Sequence, residues 1–108
     1  MNQYLKFIDR AQKIHEELEL NYFEIKLLDY AALAHFSDQS IIVRDLISQA
    51  HIASQATLHK TVKNLVNKKL LIATMNNEDG RHKNVLLTRL ALDRYKKLHQ
   101  AIKRATSM

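Results

Sequence analysis

From Asn2 to about Leu18, apolar residues at Leu5, Ile8, Ala11, Ile14 and Leu18 recur at steps of three and four, which places them on one face of an amphipathic helix. A second helix is predicted from Asn21 or Tyr22 to Phe36, where Phe23, Leu27, Tyr30, Ala31 and Leu33 or Ala34 make a stripe wide enough for the middle of a core. The polar run Ser37-Asp38-Gln39-Ser40 ends it. Ser40 to Ile42 reads as a very short strand, and Val43 to Ala50 as a short helix with Leu46, Ile47 and Ala50 inward. Ser54 is placed as an N-cap, its hydroxyl able to accept from an otherwise unpaired backbone N–H of the next turn. The helix it opens, Gln55 to about Lys68, turns Leu58, Val62, Leu65 and Val66 inward. Leu70 to Met75 and Asn84 to Leu87 are β-leaning runs around a polar tip, Asn76 to Lys83, and predict a β-hairpin. A last helix runs from Thr88 or Arg89 to about Ala105.

The outward face of the Gln55–Lys68 helix is unusual. At about 100° per residue, Ala56, Thr57, Lys60, Lys63, Asn64 and Asn67 surround the direction opposite the apolar stripe, so the exposed surface offers ammonium and amide groups and no carboxylate. A helix, a short connection, a helix with such a face and a hairpin with a basic tip make the order of a winged helix-turn-helix. The DNA major groove admits one helix, whose exposed residues near the N-terminal end read base edges. Here those are Gln55, Thr57, His59 and Lys60. Arg81 sits at the hairpin tip beside His82 and Lys83, where an inserted arginine would meet the concentrated negative potential of a narrow minor groove. The expected fold class is therefore mainly α with a small β-hairpin wing. The expected single domain, 1–108, divides into an N-terminal dimerisation helix (1–20), a winged helix-turn-helix core (21–87) and a C-terminal dimerisation helix (88–108).

Composition narrows the picture. A chain of 108 residues suits one domain with one core, and a single glycine with no proline favours long helices. The lack of cysteine excludes disulfides, thiolate zinc sites and cysteine-based redox sensing. The N-terminus lacks a basic region followed by an apolar run, and no stretch approaches the roughly 20 apolar residues of a membrane span. A cytoplasmic, nucleoid-associated protein with no membrane partner is expected. The net charge of +6 is unevenly placed: residues 1–53 hold 5 Lys/Arg against 8 Asp/Glu, and residues 54–108 hold 12 against 3. A polyanion-binding surface belongs to the second half.

Residues 78–88, EDGRHKNVLLT, resemble the wing of the multiple-antibiotic-resistance regulator (MarR) family of winged-helix repressors and activators. Upstream, SQATLHKTVKNLVNKKLLIA is similar to that family's recognition helix running into the first wing strand. The resemblance covers about residues 20–105, with the first helix corresponding more loosely. It implies a homodimer on a palindromic double-stranded operator. It further implies that Arg81 enters the minor groove, that Asp79 orients it, that Gln55, Ala56, Thr57, His59, Lys60 and Lys63 face the major groove, and that Ser54 contacts phosphate. Three departures stand out. Lys69 occupies a position where glycine is common, Leu90-Ala91-Leu92 follows Leu87-Thr88-Arg89 where a glycine often follows Leu-Thr, and the family's usual final helix is lacking. The last of these removes part of the family's dimer interface and effector pocket.

The last helix offers a substitute. Ala91, Tyr95, Leu98, Ile102 and Ala105 are spaced 4, 3, 4 and 3, the seam of a coiled coil, with Arg94, Lys96, Lys97, Lys103 and Arg104 expected in solvent. With Leu5, Ile8 and Ile14 of the first helix, this seam exposes too much apolar surface for a lone domain and predicts a symmetric dimer. Packing of the two terminal helices within one chain is the alternative, and both can hold in part.

Other chemistry is thin. His15, His35, His51, His59, His82 and His99 form no i, i+4 pair and have no cysteine beside them, so no metal site is assigned, although His15, His35 and His99 are the ones placed for a sensor site near the dimer region. There is no phosphate loop, nucleophile elbow or paired-carboxylate cleft, so no enzyme and no cofactor is expected. The effector pocket is expected to be small or absent, with control through abundance or a protein partner. The function that emerges is a sequence-specific double-stranded DNA-binding regulator; the alternatives are a protein-interaction winged helix or an architectural DNA-binding module.

Overall fold

The computed structural model describes residues 2–75 and 83–106. Its elements are α1 (Gln3–Glu17), α2 (Tyr22–Phe36), β1 (Ile41–Ile42), α3 (Val43–Ile47), α4 (Gln55–Asn67), β2 (Leu71–Met75), β3 (Lys83–Leu87) and α5 (Arg89–Thr106). Local chemistry explains where the helices begin. Asn2 caps α1 by accepting from Tyr4 and Leu5 N–H, and Asn21 caps α2 by accepting from Glu24 N–H while the Glu24 carboxylate accepts from Asn21 N–H. Ser54 accepts from Thr57 N–H at 3.3 Å, as the sequence predicts. Thr88 caps α5, its Oγ1 accepting from Ala91 N–H at 3.1 Å while donating to the Lys69 carbonyl at 2.7 Å.

Where three helices end, the backbone turns left-handed at a residue other than glycine: Glu19 after α1, Asp38 after α2 and Lys69 after α4, with φ of 53°, 56° and 62°. Each end carries the same pair of reverse hydrogen bonds. After α4, Lys69 N–H donates to the Val66 carbonyl and Leu70 N–H to the Leu65 carbonyl; Leu20 N–H to His15 and Gln39 N–H to Ala34 repeat the longer bond. The Lys69 departure is thus a conformational cost, since a Cβ is disfavoured at positive φ. Lys69→Gly is expected to raise stability by about 1 kcal/mol in a urea melt, and an unchanged or lower midpoint would contradict the strain.

The core forms around α2. Leu27 and Leu28 are fully buried with Leu46 of α3, Leu58 and Leu65 of α4, and Leu70 before β2. The sheet is antiparallel with strand order β1-β3-β2, pairing Ile41 with Val85 and Ala73 with Val85 across the central strand. β1 thereby anchors the wing's base to the start of α3, where the Asp45 carboxylate accepts from Ile42 N–H at 2.8 Å. The predicted helix to Ala50 stops at Ile47, because residues 48–52 form a tight turn in which Ala50 N–H donates to Ser48 and Ile52 N–H to Gln49. This turn joins α3 to α4.

The two terminal helices pack against each other within the chain. Ala11 of α1 and Ala101 and Ala105 of α5 are buried, small side chains that let the helices approach closely. The seam read from sequence is corrected here. Ala91 is fully buried in the chain's own core and cannot face a partner, while Arg94, expected in solvent, is 2% exposed. The reason is a rotation of the buried face toward Arg94 and the alanines, driven by the α1 contact.

Candidate nucleic-acid interface

α4 is held from behind. It packs on α2, α3 and β2 through Leu58, Thr61, Val62 and Leu65, which leaves Gln55, Ala56, His59, Lys60 and Lys63 exposed and Thr57 and Asn64 half-buried. No residue of α4 is acidic. Its N-terminus is rigidly shaped: Thr57 donates its N–H to Ser54, and Thr61 donates its hydroxyl to the Thr57 carbonyl at 2.7 Å. The helix dipole adds partial positive charge at this end. Ser54, Gln55, Ala56, Thr57, His59, Lys60, Lys63 and Asn64 therefore lie on one helix as predicted. Lys83 is exposed at the start of β3; Asp79, Arg81 and His82 lie outside the described residues.

Sequence reasoning missed the clamp at the other end of α4. Glu24, 1% exposed, receives Lys68 Nζ at 3.0 Å, and the same ammonium donates to the Glu19 carbonyl at 2.8 Å. One lysine at the end of α4 thus grips the corner between α1 and α2. The Asn21-x-x-Glu24 spacing was a legible capping-box signal; the partner 44 residues away had none.

A second polar network joins α1, α5 and α2. Arg94 Nη2 lies 2.8 Å from His15 Nδ1, and its guanidinium carbon is 5.0 Å from the Tyr95 ring centre. The Tyr95 hydroxyl donates to Asp29 at 2.6 Å. Burial, with the Asp29 carboxylate beside it, pushes the Tyr95 hydroxyl far above the usual tyrosine range. Burial first, then the Arg94 charge, holds His15 below the ordinary histidine value of 6.5, against an opposing pull from Asp29. Neutral His15 is the form the fold selects, accepting from Arg94. Its stabilisation is complete above pH 6.5 and is lost as pH falls below that value. Thermal melts on going from about pH 7.5 to about pH 5.5 are expected to show a falling midpoint, and His15→Gln, which keeps an acceptor without titrating there, is expected to flatten that fall. An equal slope in both proteins would rule out His15 as its source.

His35 and His99 instead line an open recess of about 570 Å³ between α2 and α5, with Phe36, Leu92 and Tyr95. The recess is open to solvent in the single chain, unlike the concave sites that bury most of a small ligand's surface. Among the described residues no group of three metal-ligating side chains converges, and no helix is long and apolar enough to cross a membrane.

The α1–α5 pair has two unlike edges. Tyr4, Leu5 and Ile8 of α1 and Ile102 of α5 are exposed, and helical geometry puts them on one edge with half-buried Leu98 and Tyr95. Ile14, grouped with Leu5 and Ile8 by the sequence reading, lies on the other edge, in a groove lined by lysine and arginine.

No protein-family model matches the sequence, and no curated protein matches it. Solved structures do. A MepR–DNA complex from S. aureus is 23% identical, with a TM-score of 0.71 over 89% of this chain and 69% of that one. The transcriptional regulator Tm0710 from Thermotoga maritima is 15% identical, with a TM-score of 0.70 over 88% of this chain and 63% of that one. A MarR family transcriptional regulator from Silicibacter pomeroyi is 21% identical, with a TM-score of 0.62 over 94% and 64%. The chain spans about two thirds of the length of these structures. It shares their fold, a MarR-like winged helix-turn-helix.

Proposed function

We propose that this MarR-like winged-helix protein is a transcriptional regulator that binds double-stranded DNA as a homodimer on a palindromic operator and acts by binding rather than catalysis. The observation that carries the reading is α4: an exposed face of amide, imidazole and ammonium groups with no carboxylate, fixed by a buried apolar face behind it. That face suits the major groove, with Gln55, Thr57 and His59 toward base edges and Lys60, Lys63 and Ser54 toward phosphates. Arg81, oriented by Asp79 and flanked by His82 and Lys83, serves the minor groove. The DNA-bound state of MepR, which has the same fold, supports this. Dimerisation uses the apolar edge of Leu5, Ile8, Leu98 and Ile102. Such a regulator works in the cytoplasm, at the nucleoid.

Binding titrations on an operator selected from genomic fragments and on random duplex, each at two salt concentrations, test the assignment. Lys60→Ala is expected to weaken both DNAs alike and reduce the salt slope by about one unit. Gln55→Ala is expected to lose about 1–3 kcal/mol on the operator alone, if its amide reads an adenine edge. Arg81→Ala is expected to weaken both and to lose preference for A·T-rich flanks. Parent-like binding by Arg81→Ala, with binding abolished in the control Lys26→Ala, would mean that the DNA surface lies elsewhere.

A further inference from the structure

The edge of the α1–α5 pair opposite the apolar one is a groove of about 560 Å³. Lys6, Arg10 and Lys13 form one wall, three positions that share a side of α1; Lys97 and Arg104 form the other, two turns apart on α5. Ile14 and Ala101 lie between them. Of the two carboxylates nearby, Asp9 is within 3.5 Å of Lys13 and Glu17 within 3.1 Å of Lys97. Lys6, Arg10 and Arg104 have no carboxylate within ion-pair distance among the described residues. Cations from two helices thus converge on one cleft with an apolar strip along its base, and the acids among the described residues leave three of them uncompensated.

From this convergence we infer that the groove is a docking site for an acidic peptide segment of another protein. The fit is specific to a polypeptide. A DNA duplex is too broad to enter a cleft between two packed helices and would touch only its rim. A peptide with aspartate or glutamate on both sides of a short apolar stripe meets both walls and covers Ile14, as flanking charges do beside a coiled-coil seam. The site is also separate from the proposed DNA surface, since α4 packs on α2, α3 and β2 while the groove belongs to α1 and α5. An acidic partner can therefore occupy it with DNA in place, which is the route to control by a protein that the sequence left open.

The test uses the full-length protein and a fluorescein-labelled helical peptide with leucine at every fourth position and glutamate on both sides of that stripe. Anisotropy titration is expected to show saturable binding that weakens with salt. The variant Arg10→Glu/Arg104→Glu is expected to weaken it by about tenfold or more, with the melting curve and operator affinity unchanged. If that variant melts early, the neutral pair Arg10→Gln/Arg104→Gln takes its place, with a smaller loss expected. Equal peptide affinity in parent and variant would overturn the proposal. So would stoichiometric displacement of the peptide by operator DNA, which would put the peptide on the DNA surface, or weaker random-duplex binding in the variant, which would make the groove a nucleic-acid site.

Discussion

Ile102→Asp is expected to turn the protein into a monomer and to lower operator affinity by about a hundredfold or more, because two linked half-site contacts become two independent ones. Ile102 is suited to this test since it is 46% exposed in the single chain, so a carboxylate there costs the fold little. In the proposed dimer it is desolvated and faces the partner's apolar edge, where an unpaired charge is costly. Ala101, one residue earlier, is buried against α1 and would report on folding instead. Sedimentation of the two proteins at equal concentration, together with operator titration, decides the matter. A variant that stays dimeric and binds within about threefold of the parent would place the dimer contact elsewhere.

Removing the Glu24 side chain is expected to cost about 3 kcal/mol in a urea melt, near the lower end for breaking a buried ion pair. The lower end applies because Lys68 remains 32% exposed and can reach solvent when its partner is gone. Glu24→Ala removes the pair with Lys68 and the acceptor for Asn21 N–H at the start of α2 together. Glu24→Gln keeps an acceptor in the cap and is expected to lose less. The double variant Glu24→Leu/Lys68→Met is expected to fall well short of the summed single losses, since neither charge is then left without its partner. Additive losses, or a loss below about 1 kcal/mol for Glu24→Ala, would show that the clamp contributes little.

Much of this architecture was legible because local signals and tertiary packing agree. The Ser54 cap, the inward row Leu58, Val62 and Leu65, and the carboxylate-free face of α4 all follow from spacing on one helix. Reading failed where the decisive contact is long-range. In α5 the large apolar residues Tyr95, Leu98 and Ile102 dominate the periodicity, yet alanines and Arg94 occupy the buried face. Alanine carries little hydrophobic weight, and its role is to admit α1 closely, which no pattern within α5 reveals. Arg94 looks solvated in sequence because its partner His15 lies 79 residues away. Lys68 is hidden in the same way, as one more cation at the end of a basic helix.

The grip of Lys68 on the Glu19 carbonyl and the Glu24 carboxylate also bears on which operators a dimer accepts. α1 meets α2 at that corner and carries part of the edge proposed to meet the partner, so in the proposed dimer the corner's stiffness would set how far apart the two α4 helices stand. B-DNA repeats in about 34–36 Å, and moving one half-site by one base pair displaces it by about 3.4 Å and rotates it by roughly 35°. In the proposed dimer a fixed corner would act as a ruler, so an operator lengthened by one base pair between its half-sites is expected to bind more weakly although every base it offers is correct.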